Sequence, residues 1–196
     1  MNVSRETLAD LEEFERLVRQ WNPKINLVSK SSLEDIRTRH IEDSLQLYEL
    51  NDRAGKWLDL GSGGGFPGLV LAIADKNGAR SNQFHLVESD QRKCAFLRTA
   101  ARELGLEAQI HSQRIEQLEP QEADIVSARA LADLPSLLEL AYRHMKPDAV
   151  AYFPKGKKWG EEVAKARKSW QFDYEALDSK TSAEAAIIRM GNIKRV

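Results

Sequence analysis

Apolar residues recur at helical spacing through the first fifty positions, then give way to short apolar runs separated by amphipathic stretches. Leu8, Leu11, Phe14, Leu17, Val18 and Trp21 share one side of a helix predicted over 4–20, with charges between them. Asn22-Pro23 is expected to end it. A second helix is predicted over 32–49, capped by Ser31 or Ser32, with Ile36, His40, Ile41, Leu45 and Tyr48 on one side. From Lys56 onward, strands and helices alternate. Strands are predicted at Lys56–Leu60, Gln83–Val87 (ending at Glu88), Ala108–His111, Asp124–Ser127 and Val150–Phe153. Helices are predicted at Pro67–Asp75, Asp90–Leu104 (closed by Gly105), Asp133–His144 and Gly160–Ser169. Two late strands, Phe172–Leu177 and Ala186–Met190, lie close enough in sequence to pair antiparallel at a sheet edge.

This order predicts an α/β fold with a mostly parallel, seven-stranded sheet. Residues 1–50 form a helical extension packed on a domain over 51–196. There is no internal repeat and no low-complexity stretch.

Charge changes the picture little. Lys and Arg number 29 against 30 Asp and Glu, for a net charge of −1, so any nucleic-acid contact must come from a local patch. The single cysteine, Cys94, excludes an internal disulfide and a multi-cysteine zinc site. No apolar run approaches the roughly 20 residues that span a bilayer, and the polar start lacks the apolar core of a signal peptide. A soluble cytoplasmic protein without metal or membrane is expected. No apolar surface stripe asks for a partner, so a monomer is expected too.

The most informative segment is Trp57-Leu58-Asp59-Leu60-Gly61-Ser62-Gly63-Gly64-Gly65-Phe66-Pro67-Gly68. A short apolar strand is followed by a glycine-dense turn and a proline that opens a helix. Doubly wound proteins make room for a nucleotide-like cofactor in this way. Gly63-x-Gly65-x-x-Gly68, with Glu88 about 20 residues on, formally matches a dinucleotide fingerprint, so a nicotinamide oxidoreductase is one reading. Glu88 suits the ribose hydroxyls of either NAD or S-adenosylmethionine. Two features favour the methyl donor. Asp59 ends the strand where an ammonium group is welcome and a pyrophosphate is not. Gln113-Arg114-Ile115-Glu116 follows the third strand, where backbone groups can bond an adenine edge while Ile115 covers its face. Against a ligand role, Asp59 can cap the following turn, Glu116 can be a solvated charge, and Phe66 can be a core anchor rather than a pocket floor.

The methyl acceptor is argued from absences. Transfer to pyrimidine C5 needs a thiol nucleophile, and Cys94 lies in an apolar helix segment typical of a core position. Transfer to exocyclic amines commonly uses an Asn/Asp-Pro-Pro-aromatic loop, but the sequence after the fourth strand reads Ser127-Ala128-Arg129-Ala130. A ring nitrogen such as guanine N7 has a free lone pair and needs no general base. Arg129, where the methyl should sit, is the candidate catalytic residue, able to reach guanine O6, a phosphate or the donor's carboxylate. A structural ion pair with Asp59 or Glu88 is its other reading. Lys155, Lys157, Lys158, Lys165, Arg167 and Lys168 form a local basic stretch that suits RNA or a solvated helix equally. His40 has no histidine partner at ligand spacing and is expected to bond Asp43 or Ser44.

The motifs Trp21-Asn22, Asn26-Leu27, Arg39-His40, Asp43-Ser44-Leu45, Gly61–Gly68, Glu88-Ser89, Lys93, Phe96-Leu97, Arg114, Glu116, Ser127-Ala128-Arg129-Ala130 and Lys155-Gly156 occur in this order. In that order they resemble the glucose-inhibited division protein B family of bacterial small-subunit ribosomal RNA guanine-N7 methyltransferases. The resemblance spans about residues 14–160 and fades over the last thirty or so. It implies a class I, Rossmann-like methyltransferase fold, S-adenosylmethionine as donor, and a guanosine of 16S ribosomal RNA, free or in the small ribosomal subunit, as acceptor. By position it implies that Gly61 and Phe66 line the donor site, beside Asp59, Gly63 and Gly65 from the loop reading above, with Glu88 on the ribose, Ile115 and Glu116 on the adenine, and Arg129 on donor or substrate. A small-molecule methyltransferase and a non-catalytic RNA-binding protein with a retained donor pocket are the remaining alternatives.

Overall fold

A computed structural model describes residues 3–78 and 80–196. Helix α1 (Arg5–Ile25) begins at Ser4, whose hydroxyl accepts the Thr7 backbone N–H at 3.1 Å. It runs past the predicted stop. Pro23 sits in the last turn, and the helix closes only at Asn26, in the left-handed conformation, whose N–H donates to the Asn22 carbonyl. The Asn22 side chain in turn accepts the Val28 N–H at 2.9 Å, which fixes the exit of the chain.

The single helix predicted over 32–49 is three pieces. Helix α2 (Lys30–Glu34) is capped by Ser29 rather than Ser31 or Ser32. A π-helical turn covers Arg37–Glu42, and α3 (Asp43–Leu50) follows. Asp35, at φ −104° and ψ 33°, breaks the first piece from the second. The apolar spacing survives the break, because Ile36, Ile41 and Leu45 are all buried.

All seven predicted strands form one sheet: β1 (Lys56–Leu60), β2 (Gln83–Glu88), β3 (Ala108–Ser112), β4 (Ala123–Ala128), β5 (Met145–Lys155), β6 (Trp170–Asp178) and β7 (Ala186–Arg195). Their order is β3-β2-β1-β4-β5-β7-β6. The first five run parallel, and β7 is antiparallel to both β5 and β6. Helices α4 (Gly68–Lys76), α5 (Gln91–Glu103), α6 (Leu134–Tyr142) and α7 (Trp159–Ala166) cover the two faces.

Alternation along β1 shows how the layers are filled. Trp57 joins the core beneath α1, α3, α4 and α5, whereas Leu58 and Leu60 join the core beneath α6 and α7. The N-terminal helices dock on the first face, α1 against α4 and α5, and α3 against α4. Phe14 of α1 is the anchor, its ring 5.2 Å from Phe66 and 6.3 Å from Phe96. The strand order reverses between β1 and β4, which opens a crevice at their carboxyl ends.

The outer part of the sheet holds a titratable pair. His85 Nδ1 and His111 Nε2 lie 3.0 Å apart, with the rings stacked at 5.3 Å. Such a bond needs one nitrogen to accept, so the pair cannot be doubly protonated. Burial, then the nearby Lys56 charge, lowers the His85 pKa to about 4. His111 is lowered by burial and the same lysine. A lowered folded-state pKa means that the unfolded chain binds the proton more readily, so this contribution is present above about pH 6.5 and is lost as pH falls toward 4. The urea midpoint of the wild-type chain is therefore expected to fall, relative to His85→Gln, as the pH is lowered through this window. A constant difference between the two would remove the pair from the acid response.

Candidate active site

The site begins with a buried acid. Asp59, 1% exposed, points from β1 toward α4. Its Oδ2 accepts the Gly68 N–H at 3.1 Å, and its Oδ1 accepts the Ser127 hydroxyl at 2.9 Å. Ser127 Oγ itself accepts the Trp57 indole N–H at 3.0 Å, and Ser62 Oγ donates to the Asp59 carbonyl at 3.1 Å. Burial raises the Asp59 pKa to about 6, opposed by hydrogen bonds from Ser62, Ser127 and Gly68. The carboxylate thus holds the first amide of α4, the turn-capping role weighed above, at the position expected to face an ammonium group. A Cβ at Gly68 would lie 2.8 Å from Asp59 Oδ2 and 2.9 Å from Leu86 Cγ, so the residue must be glycine for this approach.

The turn from Gly61 to Phe66 is pinned to β2, because Ser62 donates its N–H to the Val87 carbonyl at 3.0 Å. Gly63 has φ +54°, and a Cβ there would meet nothing closer than the Gly61 carbonyl oxygen at 3.8 Å. This part of the loop faces open space. Gly61 is covered by Leu131 from the segment after β4, whose Cδ1 lies 2.8 Å from where a Cβ would stand. Gly65 turns inward toward Leu69 and Phe14.

Glu88 ends β2 beside this loop. Its Oε2 accepts the Gly63 N–H at 2.9 Å and its Oε1 accepts the Asp90 N–H at 2.8 Å. Each oxygen keeps a second lone pair for an outside hydroxyl. Cys94 is fully buried below, its Sγ 3.2 Å from the Glu88 carbonyl. Asp59, Gly61, Gly63 and Glu88 therefore share one end of adjacent strands. Ile115 and Glu116 lie in a 3-10 turn (Ile115–Gln117) at the same edge of the sheet. The Ile115 side chain belongs to the core, and its carbonyl accepts from His144 Nε2 at 3.1 Å. Glu116 is exposed, and its carbonyl accepts from Arg143 at 3.1 Å.

Arg129 leaves the end of β4 but pairs with neither Asp59 nor Glu88. Its Nη1 donates to the Arg39 carbonyl at 3.0 Å and lies 3.5 Å from Asp43 Oδ2, and its Nη2 meets His40 Nδ1 at 2.6 Å. The guanidinium carbon sits 5.4 Å above the Phe66 ring. Phe66 is almost fully buried, with Phe14 and the His40 ring (4.9 Å) as neighbours. The bonding expected for His40 is corrected accordingly: its ring takes Arg129, while Ser44 Oγ donates to its backbone carbonyl at 2.6 Å. The sequence offered one signal for this meeting, the one-turn spacing of His40 and Asp43.

Beside Arg129 lies a cleft of about 490 Å³ between the ends of β4 and β5 and the β6–β7 turn, lined by Arg39, Asp43, Arg129, Lys155, Glu162 and Ile187 among others. Four of the six basic side chains of the stretch have partners, Lys157 and Lys165 while remaining exposed. Lys155 bonds the Ala132 carbonyl and Glu162, Lys157 pairs with Glu184, Lys165 with Asp133, and Arg167 lies over Tyr174. Arg39, named with His40 among the motifs above, is exposed at the mouth. Among the described residues, no group of three His, Cys, Asp or Glu side chains is placed to hold a metal, and no helix is long and apolar enough to cross a membrane.

Comparison with known proteins bears on the fold and the family. The chain resembles the RNA methyltransferase from Salinibacter ruber, solved in complex with S-adenosyl-L-homocysteine, with a TM-score of 0.54 at 17% identity, over 76% of this chain and 87% of that one. At that identity the likeness speaks for the fold. The ribosomal RNA small subunit methyltransferase G of Ruegeria pomeroyi is 53% identical, over all of this chain and 96% of its own length. That of Rhodospirillum centenum is 50% identical, over 97% of this chain and 87% of its own. The family model described as rRNA small subunit methyltransferase G matches residues 7–189, so the similarity runs well beyond residue 160 into the last strands. The chain belongs to the rRNA small subunit methyltransferase G family.

Proposed function

We propose that this protein transfers a methyl group from S-adenosylmethionine to N7 of a guanosine in 16S ribosomal RNA. Family membership supports the reaction class. The observation that carries the choice of atom is that, among the described residues, each acid lining the cleft is held in an ion pair. Asp43 and Glu162 are engaged by Arg129 and Lys155. His40 Nδ1 is engaged by Arg129, which can only donate. Guanine N7 has no proton to lose, so a site whose acids are held in ion pairs and whose task is to orient the base suits it.

When bound, S-adenosylmethionine supplies an electrophilic methyl on a sulfonium. The N7 lone pair forms the new N–C bond as the S–C bond breaks and sulfur keeps the pair, leaving a cationic guanine. The residues act by placement, worth up to roughly 7–11 kcal/mol when alignment is complete. The open backbone at Gly63 fits the donor. Glu88 accepts the ribose hydroxyls with its remaining lone pairs, and the backbone at Ile115 and Glu116 meets the adenine. Asp59 keeps the loop in register with α4, and its charge favours the ammonium end of the donor. Arg129 orients donor carboxylate or base at the end of β4. Asp43 and Glu162 line the same cleft and suit a base that becomes cationic. Arg39 is offered to the RNA backbone. This reading implies a cytoplasmic monomer acting on 16S ribosomal RNA or the small subunit.

Incubation with labelled S-adenosylmethionine and ribosomal RNA, small subunits or free nucleosides is expected to place label in 7-methylguanosine from RNA. Label in another nucleoside, or none while donor binds, would overturn the acceptor. Gly63→Val is expected to abolish donor binding in calorimetry by filling the open side of the loop, and unchanged affinity would misplace the pocket. Arg39→Glu is expected to weaken RNA binding and flatten its salt dependence while donor affinity stays constant. Cys94→Ala is expected to transfer methyl at the wild-type rate, and loss of transfer with donor binding intact would revive a thiol mechanism.

A further inference from the structure

Arg129 is held almost entirely from outside its own strand. Its three acceptors are the Arg39 carbonyl, His40 Nδ1 and Asp43 Oδ2, which come from one π-helical turn and the residue after it. Asp43 is fixed in turn from the opposite wall of the cleft, where Thr181 Oγ1 donates to its Oδ1 at 2.8 Å. The imidazole adds a constraint the others lack. An arginine has no acceptor, so Nδ1 must accept and the proton must sit on Nε2. That Nε2 is buried and has no hydrogen-bond partner. Leaving a buried N–H dry costs about 1–3 kcal/mol. A histidine kept there purely for stability would gain by a turn that satisfied Nε2. The ring is instead spent on Arg129, and it lies 4.9 Å from Phe66, the ring over which Arg129 itself sits. Phe66, His40 and Arg129 thus join the donor loop to the acceptor cleft.

We propose that His40 is a positioning residue for methyl transfer, its neutral ring accepting from Arg129 through Nδ1 and aiming the guanidinium into the cleft. The inference rests on the methyl-transfer reading above. Burial first, then the charges of Arg129 and Arg39, favours the neutral ring and lowers its pKa to about 4. The positioning role predicts that geometry matters more than the imidazole itself. Asparagine carries its side-chain oxygen near the place of Nδ1, whereas glutamine carries its terminal amide near the place of Nε2.

The test compares His40→Ala, His40→Asn and His40→Gln with the wild-type protein, measuring kcat and KM on small subunits and donor binding by calorimetry. His40→Ala is expected to lose roughly 10- to 100-fold in kcat, as for a misplaced catalytic group, with KM and donor affinity little changed. His40→Asn is expected to recover most of that loss and His40→Gln little of it. Full kcat in His40→Ala, or Asn no better than Ala, overturns the proposal. Nitrogen-15 spectra of the wild-type imidazoles give an answer that needs no variant to fold. The Nε2-protonated neutral tautomer is expected for His40 at neutral pH, and a charged or Nδ1-protonated ring overturns the proposal. A wild-type protein that binds donor but transfers no methyl would overturn the reading of the reaction instead, while the spectra would still decide the role of His40.

Discussion

The carboxylate of Asp59 is the interaction on which the site depends. It is buried at the end of the central strand and joins three separate parts of the chain: β1 through its own backbone, α4 through the Gly68 amide, and β4 through Ser127. Burial alone would push it toward neutrality, and donors from the loop and the neighbouring strand oppose that shift. Its removal would leave the first amide of α4 and the Ser127 hydroxyl without their acceptor in a dry interior. The shape of the glycine loop and the direction of β4, and with it the origin of Arg129, follow from this one group.

The N-terminal helices are more than a cover for one face of the sheet. Phe14 packs on Phe66 inside the glycine loop, and the turn before α3 holds the guanidinium that comes from the end of β4. The Leu27 backbone also closes against the outer side of the loop, near Gly64. Residues far apart in sequence therefore meet at one place, and α1 and α3 are tied to the sheet and its helices through these contacts.

The sheet was legible because its signals are local. The apolar run of β1, the glycine turn and the cap at Asp90 each carry their meaning within a few residues. The break near Asp35 was not, because the apolar spacing of 32–49 is compatible with one continuous helix, and Ile36, Ile41 and Leu45 stay buried across the π turn. Pro23 misled for a related reason: a proline in a final turn forfeits one hydrogen bond, and the Asn26 cap supplies another. At the site, the loop and Glu88 were visible as motif, but the partners of Arg129 were not. Asp59 and Glu88 were the partners weighed, and the turn that holds Arg129 instead is reached only through tertiary distance, which the spacing of His40 and Asp43 does not measure. The lysine stretch likewise reads as a free basic surface until the acids that meet it from α6 and the β6–β7 turn are seen.

The contact between Glu88 and the Gly63 amide has a bearing on life in a crowded cell. Glycine-loop amides at the end of a strand ordinarily attract phosphate, and nucleoside triphosphates and dinucleotides are abundant competitors. Here one of those amides is already occupied by a carboxylate of the chain itself. Any polyphosphate approaching the loop meets a taken donor and a like charge, whereas a ribose hydroxyl meets two waiting acceptor oxygens. The same side chain that keeps acceptor oxygens open to a neutral hydroxyl acts as a sentry against anions, and it does so before any ligand has arrived.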